Sequence, residues 1–147
     1  MRIISGKAKG TRLRTLEGLN TRPTLDRVKE ALFSIIQNDI WKASILDLFS
    51  GSGALGIESL SRGAKIAYLC DSSKKAIEII RQNVEKTHFE EQAIIINNDY
   101  RRCLEQLKDE KFDIIFLDPP YKTEFGIDSI KYITQNNMIT EKRNYNF

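Results

Sequence analysis

Asp118-Pro119-Pro120-Tyr121 is the stretch of this 147-residue chain with the most chemistry in the fewest residues. Two consecutive prolines remove two N–H donors and fix the backbone, leaving their carbonyls as rigid acceptors. A carboxylate followed by such a carbonyl can take both hydrogens of an exocyclic amine on a nucleobase. Tyr121 can stack on the face of that base, a contact worth about 1–3 kcal/mol. An amine conjugated with an aromatic ring is a poor nucleophile, so positioning is most of what an enzyme adds. No strong general base is required, because the transfer itself makes the nitrogen acidic. The expected chemistry is methylation of a base amino group, with the base left open. The competing meanings of Pro-Pro-Tyr, a proline-rich recognition site or a simple strand terminator, leave the preceding acid unexplained.

About 70 residues earlier lies Asp47-Leu48-Phe49-Ser50-Gly51-Ser52-Gly53-Ala54-Leu55-Gly56. An apolar run turns through glycines into a helix, which places backbone N–H groups and the positive end of a helix dipole beside a bound ligand. The Gly51-x-Gly53-x-x-Gly56 spacing alone does not separate a nucleoside cradle from a dinucleotide one. Asp71 follows Gly51 by 20 positions, where an acid in a doubly wound fold accepts from ribose hydroxyls. That also fits both ligands, and a helix-capping acid is the bland alternative. Asp47 discriminates. A carboxylate inside the first strand is costly unless it meets a cation or donors. The ammonium of a methionine moiety supplies that partner, directly or through water, whereas a pyrophosphate repels it. The preferred cofactor is therefore S-adenosylmethionine over a nicotinamide dinucleotide. Asp99, after the third strand, is placed to accept from an adenine amine with Tyr100 beside it; a turn residue paired with Asn98 is the alternative. Phe49, Ser50, Ser52 and Ser72 complete the candidate cofactor set.

The elements that must position these residues alternate. Strands are expected over 45–49, 66–70, 93–96 and 112–117. Helices are expected over 54–62 (closed by Gly63), from Ser72-Ser73 through Val84, over 101–107 and over 125–133. Strand–helix alternation at this pitch predicts an α/β fold: a doubly wound, mostly parallel, Rossmann-like sheet with helices on both faces. The run Ile114-Ile115-Phe116-Leu117 reads as a strand buried on both sides. Ahead of this body, 2–4 and 11–14 form a small hairpin around Gly6 and Gly10. A helix to about Asn38 follows, N-capped by Thr24, with Leu25, Val28, Leu32, Ile35 and Ile36 packed inward and Arg27, Lys29 and Glu30 facing out. Residues 1–20 are thus expected to be an extension, and 21–147 the catalytic domain.

Charge sharpens this division. The chain carries +3 overall, but residues 1–29 hold eight basic side chains against two acidic ones, a net of +6, leaving −3 for the rest. The asymmetry points to a basic face that meets phosphate. Arg2, Lys7, Lys9, Arg12, Arg14 and Arg22 are the candidate RNA contacts. Cys70 and Cys103 make no disulfide framework and no metal spacing, so reduced, partly buried thiols and no metal are expected. With no apolar run of membrane length and no secretory leader pattern, a cytoplasmic protein is expected. His88, the sole histidine, falls at a helix end and reads as a surface residue.

The motifs resemble those of the bacterial 16S ribosomal RNA guanine-N2 methyltransferases. The likeness runs through Arg2-Ile3-Ile4-Ser5-Gly6-Lys7, then Arg22-Pro23-Thr24-x-Asp26-Arg27-Val28-Lys29-Glu30-Ala31-Leu32-Phe33. It continues in the glycine loop and Ser61-Arg62-Gly63-Ala64, and ends at Asp118-Pro119-Pro120-Tyr121, covering about residues 1–125. It implies a class I methyltransferase fold, S-adenosylmethionine lined by Asp47, Gly51, Gly53, Asp71 and Asp99, and a guanine held by 118–121. It further implies that the basic hairpin lies on 16S rRNA, in the small ribosomal subunit or an assembly intermediate.

Members of this fold continue with three more strands, whereas only 26 residues follow Tyr121 here. The stretch from Thr134 offers no apolar run for a buried strand, so the last strands of the fold are expected to be missing. The fourth strand would then be an apolar edge prone to self-association. Three other readings compete with rRNA methylation: a cofactor- or RNA-binding remnant without turnover, an adenine-N6 DNA methyltransferase sharing the tetrapeptide, and a nicotinamide oxidoreductase. The last is disfavoured by Asp47, and the DNA enzyme by the small size of the chain.

Overall fold

A computed structural model describes residues 1–16 and 23–141, the side chains of 23–25 excepted. Helix α1 (Pro23–Ile36) runs into a 3-10 turn, Gln37–Asp39. The body then alternates: β1 (Ser44–Asp47), α2 (Ala54–Ser61), β2 (Ile66–Asp71), α3 (Lys74–Thr87), β3 (Ala93–Asn97), α4 (Tyr100–Gln106), β4 (Ile114–Phe116) and α5 (Phe125–Gln135). The four strands pair in parallel in the order β3-β2-β1-β4. The chain therefore winds outward from β1 through β2 to β3, then crosses back to place β4 on β1's other side. The switch point between β1 and β4 is where open α/β sheets leave a crevice for ligands, outside the strands' carboxyl ends.

Successive strand residues point to opposite faces, and the two faces bury separate cores. Ile45, Ala67 and Leu69 pack with Ile57, Leu60, Ile77 and Ile80 from α2 and α3, and with Phe33 of α1. Leu46, Cys70 and Ile96 pack on the other side with Cys103, Leu104 and Ile133 from α4 and α5. Gly56 sets the closest approach: a Cβ there would lie 2.1 Å from Leu69 Cδ2, so only glycine lets α2 lie this near β2. Both cysteines are free and buried. Among the described residues no helix is long and apolar enough to cross a membrane.

The N-terminal segment is stitched into this body. A single antiparallel bridge joins Arg2 to Arg12, and Ile3 and Leu13 are buried in the first core. Its backbone docks on the end of α2: the Lys7 N–H donates to the Ser61 carbonyl, the Ala8 N–H to Ser61 Oγ, and Ser61 Oγ to the Ser5 carbonyl.

Two expectations are corrected. Helix α1 begins at Pro23, so Thr24 lies inside it; a proline at the first helical position has its φ pre-set and loses no bond. The face of that helix is as expected only in part: Leu32 and Ile36 pack against the core and Arg27 and Glu30 face out, but three side chains depart from the expected stripe. Val28 and Ile35 are exposed, at 61% and 80%, while Lys29 and Phe33 are buried at 3% and 0%. The reason is Glu58 on α2, wholly buried, which draws Lys29 inward. The stretch after α5 forms no strand among the described residues, as expected, but touches the sheet at one point. Met138 is buried in the second core, and Phe112 and Ile139 form a parallel bridge: the Phe112 N–H donates to the Met138 carbonyl and the Thr140 N–H to that of Phe112. Beyond that rung β4 is the sheet's edge among the described residues, and Ile114 and Ile115 are only half-buried.

Candidate active site

Three adjacent strands deliver a carboxylate each to the switch point. Asp71 ends β2, Asp47 ends β1, and Asp118 follows β4. Asp47 is 2% exposed, and its Oδ2 accepts from Ser50 Oγ at 3.0 Å and from the Gly56 N–H at 3.3 Å. Burial pushes its pKa up to about 7 against the relief of these two bonds, and the charges of Asp118 and Asp71 push the same way. Asp71 bridges two backbone donors, the Gly51 N–H at 2.9 Å on Oδ2 and the Ser73 N–H at 2.9 Å on Oδ1. It thereby ties the glycine loop to the start of α3, where Ser73 is the N-cap and accepts from the Ala76 N–H. The helix-capping alternative for Asp71 is thus realised in part, alongside its grip on the loop.

The loop itself is open at its first glycine. Gly51 has a φ of +60°, and a Cβ built on it meets nothing within 4 Å, so a ligand can approach the backbone there. Its N–H is already committed to Asp71. A loop whose leading donor holds a carboxylate, and which is flanked by two further carboxylates, presents negative potential. That disfavours a pyrophosphate and favours a cation bearing hydroxyls. The residues present therefore fit S-adenosylmethionine, whose sulfonium and ammonium are positive and whose ribose can donate, better than a dinucleotide.

The remaining candidates sort into three groups. Phe49 and Tyr100 come together with Phe125 of α5, at ring-centroid distances of 5.6, 6.3 and 4.6 Å (Phe49–Tyr100, Phe49–Phe125, Tyr100–Phe125). The Tyr100 hydroxyl donates to Asp128 Oδ2 at 2.7 Å, which fastens α4 to α5 beside the cluster. Asp99 is the N-cap of α4, accepting from the Arg102 N–H at 3.0 Å and half-exposed, while its own N–H donates to Asn98 Oδ1. Ser72 is exposed and offers its carbonyl to Asn97 Nδ2, and the Ser52 carbonyl accepts from Asn83 Nδ2.

In the candidate catalytic tetrapeptide, Asp118 and Pro120 are exposed, Pro119 is half-buried, and Tyr121 stands 89% exposed with Lys122 Nζ 5.8 Å from its ring centroid. The Pro120 carbonyl is held by Thr123 Oγ1 at 2.9 Å, which fixes the turn after the prolines. Of the basic candidates, Arg2, Lys7, Lys9, Arg12 and Arg14 are all exposed, and Arg22 lies outside the described residues. His88 is exposed at the C-cap of α3 with a φ of +62°.

Two residues that sequence reasoning missed hold this arrangement together. Glu58 receives the Ile4 N–H at 2.9 Å, the Ser5 N–H at 3.2 Å, Arg62 Nε at 2.8 Å and Lys29 Nζ at 3.0 Å. Burial raises its carboxyl, but the Ile4 N–H and the two cations outweigh that and leave it below the ordinary glutamate value. Asn83, 0% exposed, joins the Arg14 backbone to the Ser52 carbonyl. Neither left a clear signal, since each shares its helix with other buried polar side chains, Ser59 and Ser61 beside Glu58 and Thr87 beside Asn83.

A doubly wound parallel sheet, a glycine loop leaving its first strand and acids ending the neighbouring strands together define the class I methyltransferase fold. Residues 1–144 match the family described as Conserved hypothetical protein 95, and the chain belongs to that family. It is 42% identical over 126 residues to YlbH of Bacillus subtilis, spanning 84% of this chain and 68% of that protein. It is 36% identical over 141 residues to Ribosomal RNA small subunit methyltransferase D of Haemophilus influenzae, spanning 95% and 73%. The structure of yhhF from Escherichia coli superposes with a TM-score of 0.85 at 35% identity, covering 95% of this chain and 75% of that one. The resemblance drawn from the motifs is thus borne out at the level of the family.

Proposed function

We propose that this protein methylates ribosomal RNA of the small subunit, using S-adenosylmethionine and acting on the exocyclic N2 amine of a guanine in 16S rRNA. The observation that carries the reading is the row of carboxylates, Asp71, Asp47 and Asp118, ending three adjacent strands around an open glycine loop. The methyltransferase D name of the Haemophilus relative supports the substrate class.

The cofactor supplies a sulfonium-borne methyl group. Asp47, Gly51, Gly53 and Asp71, with Phe49, Ser50, Ser52, Ser72, Asp99 and Tyr100 around them, are the residues that would hold it. Asp47 answers a positive charge, Asp71 ribose hydroxyls, and Asp99 an adenine amine. Asp118 and the Pro119 carbonyl accept the two hydrogens of the guanine amine. That orients the nitrogen lone pair, and the charge of Asp118 stabilises the positive nitrogen that develops. Tyr121, projecting into solvent, closes on the base by stacking. The N-terminal arm, with Lys7, Lys9, Arg12 and Arg14 exposed, meets RNA phosphates and leaves base selection to the tetrapeptide.

The test is incubation with labelled S-adenosylmethionine and small subunits lacking the modification, alongside Asp118→Ala. Label in guanine N2 that the substitution abolishes is the expected result. Label in adenine of DNA, or cofactor binding with no incorporation into any RNA, would overturn it.

A further inference from the structure

We infer that Asn83 is a positioning residue through which RNA binding on the N-terminal arm and cofactor binding at the glycine loop are coupled; this rests on the function proposed above. Asn83 projects from the C-terminal half of α3 and is completely buried. Its side-chain amide treats Arg14 as a neighbouring strand would. Oδ1 accepts the Arg14 N–H at 2.7 Å, and Nδ2 donates to the Arg14 carbonyl at 2.9 Å. The second Nδ2 hydrogen goes to the carbonyl of Ser52, the residue between the two loop glycines, at 2.8 Å. Both donors of one planar group are thus spent, one on each element.

That planarity makes the link stiff. An Asn amide turns as a unit, so a shift of Arg14 changes the direction of the hydrogen aimed at Ser52. No water competes, because the group is buried, and an unmade bond there costs the desolvation of a polar atom. The arm that Arg14 closes carries the exposed Lys7, Lys9 and Arg12, and Arg14 itself reaches along α3 to Gln82 Oε1. The loop that Ser52 belongs to carries the Gly51 N–H held by Asp71. RNA that fixes the arm therefore fixes the loop's geometry, and a cofactor that orders the loop orders the arm. Such coupling is reciprocal, and its usual range is about 5- to 150-fold in affinity.

The experiment measures S-adenosylmethionine affinity with and without an unmodified small-subunit rRNA transcript, for the native chain and for Asn83→Leu, which keeps the forked shape and removes every polar atom. The native chain should bind cofactor at least about fivefold more tightly with RNA present. Asn83→Leu should still bind each ligand alone, though more weakly, and show no enhancement of cofactor binding by RNA. Equal cofactor affinity with and without RNA in the native chain overturns the proposal, as does full enhancement in Asn83→Leu. If Asn83→Leu fails to melt cooperatively, amide exchange in the native chain decides. Cofactor should slow exchange of the Arg14 N–H, and an unchanged rate overturns the link. Absence of any cofactor binding by the native chain is a different result: it removes the proposed function, and the coupling falls with it.

Discussion

Lys29 Nζ lies 3.0 Å from Glu58 Oε1, with the two side chains 3% and 0% exposed. This pair, extended by Arg62 on the other carboxylate oxygen, bolts α1 and the N-terminal segment to the helix that follows the glycine loop. Removing one partner of a buried pair strands the other, at a cost of about 3–5 kcal/mol. Glu58→Ala should therefore lower the urea midpoint by that equivalent with an unchanged slope. A loss under about 1 kcal/mol would show that the cluster does not hold the segment. Because the Glu58 carboxyl is depressed in the folded state, its contribution is present above the ordinary value of about 4.3 and fades on further acidification. The gap between native and variant should close below about pH 4.

Asp47 behaves in the opposite sense. With its folded pKa at about 7, the folded chain keeps a proton that the unfolded chain releases near pH 4. Its effect is to make stability fall as pH rises through that window. Asp47→Asn removes this penalty, so its melting temperature relative to the native chain should climb between pH 5 and 7.5 in the absence of cofactor. A difference that stays flat with pH would refute the assignment. The same variant should bind S-adenosylmethionine more weakly, since the carboxylate that answers its positive charge is gone.

Tyr121 is nearly free of the body of the protein, so its removal should leave the melting temperature alone. Losing one base stack of about 1–3 kcal/mol should cut kcat/KM for RNA by about 5- to 150-fold in Tyr121→Ala, and far less in Tyr121→Phe. Equal losses in the two variants would point to the hydroxyl instead of the ring.

Neutralising Lys7, Lys9 and Arg12 together should weaken RNA binding at low salt. It should also reduce the slope of log affinity against log salt by about 2 to 3, close to one per phosphate contact. An unchanged slope in a filter-binding series would take the arm off the RNA.

Among the described residues no strand pairs with the outer side of β4, so Ile114 to Phe116 offer a template for another strand, next to the rung where Ile139 meets Phe112. Light scattering at micromolar concentration should show self-association through that edge; a monodisperse monomer would count against it.

What could be read from the chain beforehand was what is local. The glycine loop, Asp47 and Asp71 are fixed by a strand–turn–helix unit whose parts are neighbours in sequence, and all fell where expected. The face of α1 was legible only in part. Leu32 and Ile36 pack inward as the helical stripe predicts, but Val28 and Ile35 do not, because Lys29 turns inward to meet Glu58, a partner 29 positions away. Asn83 escaped notice for the same reason: its partners, Arg14 and Ser52, lie 69 and 31 positions away. The stretch after α5 supplies no strand among the described residues, in keeping with its lack of an apolar run; its one buried methionine and one bridge are contacts too local to leave a pattern.

The two thiols give the molecule a built-in reporter. Cys70 sits one residue before Asp71, and Cys103 lies in the first turns of the helix that Asp99 caps, both without solvent access. The adjoining Cys103 thiol, together with burial, holds the Cys70 thiol above its ordinary range and so unreactive. An alkylating reagent can label them only when the end of β2 and the start of α4 part from the sheet. Labelling rates would clock that breathing directly, and a tightly held nucleoside should slow the clock.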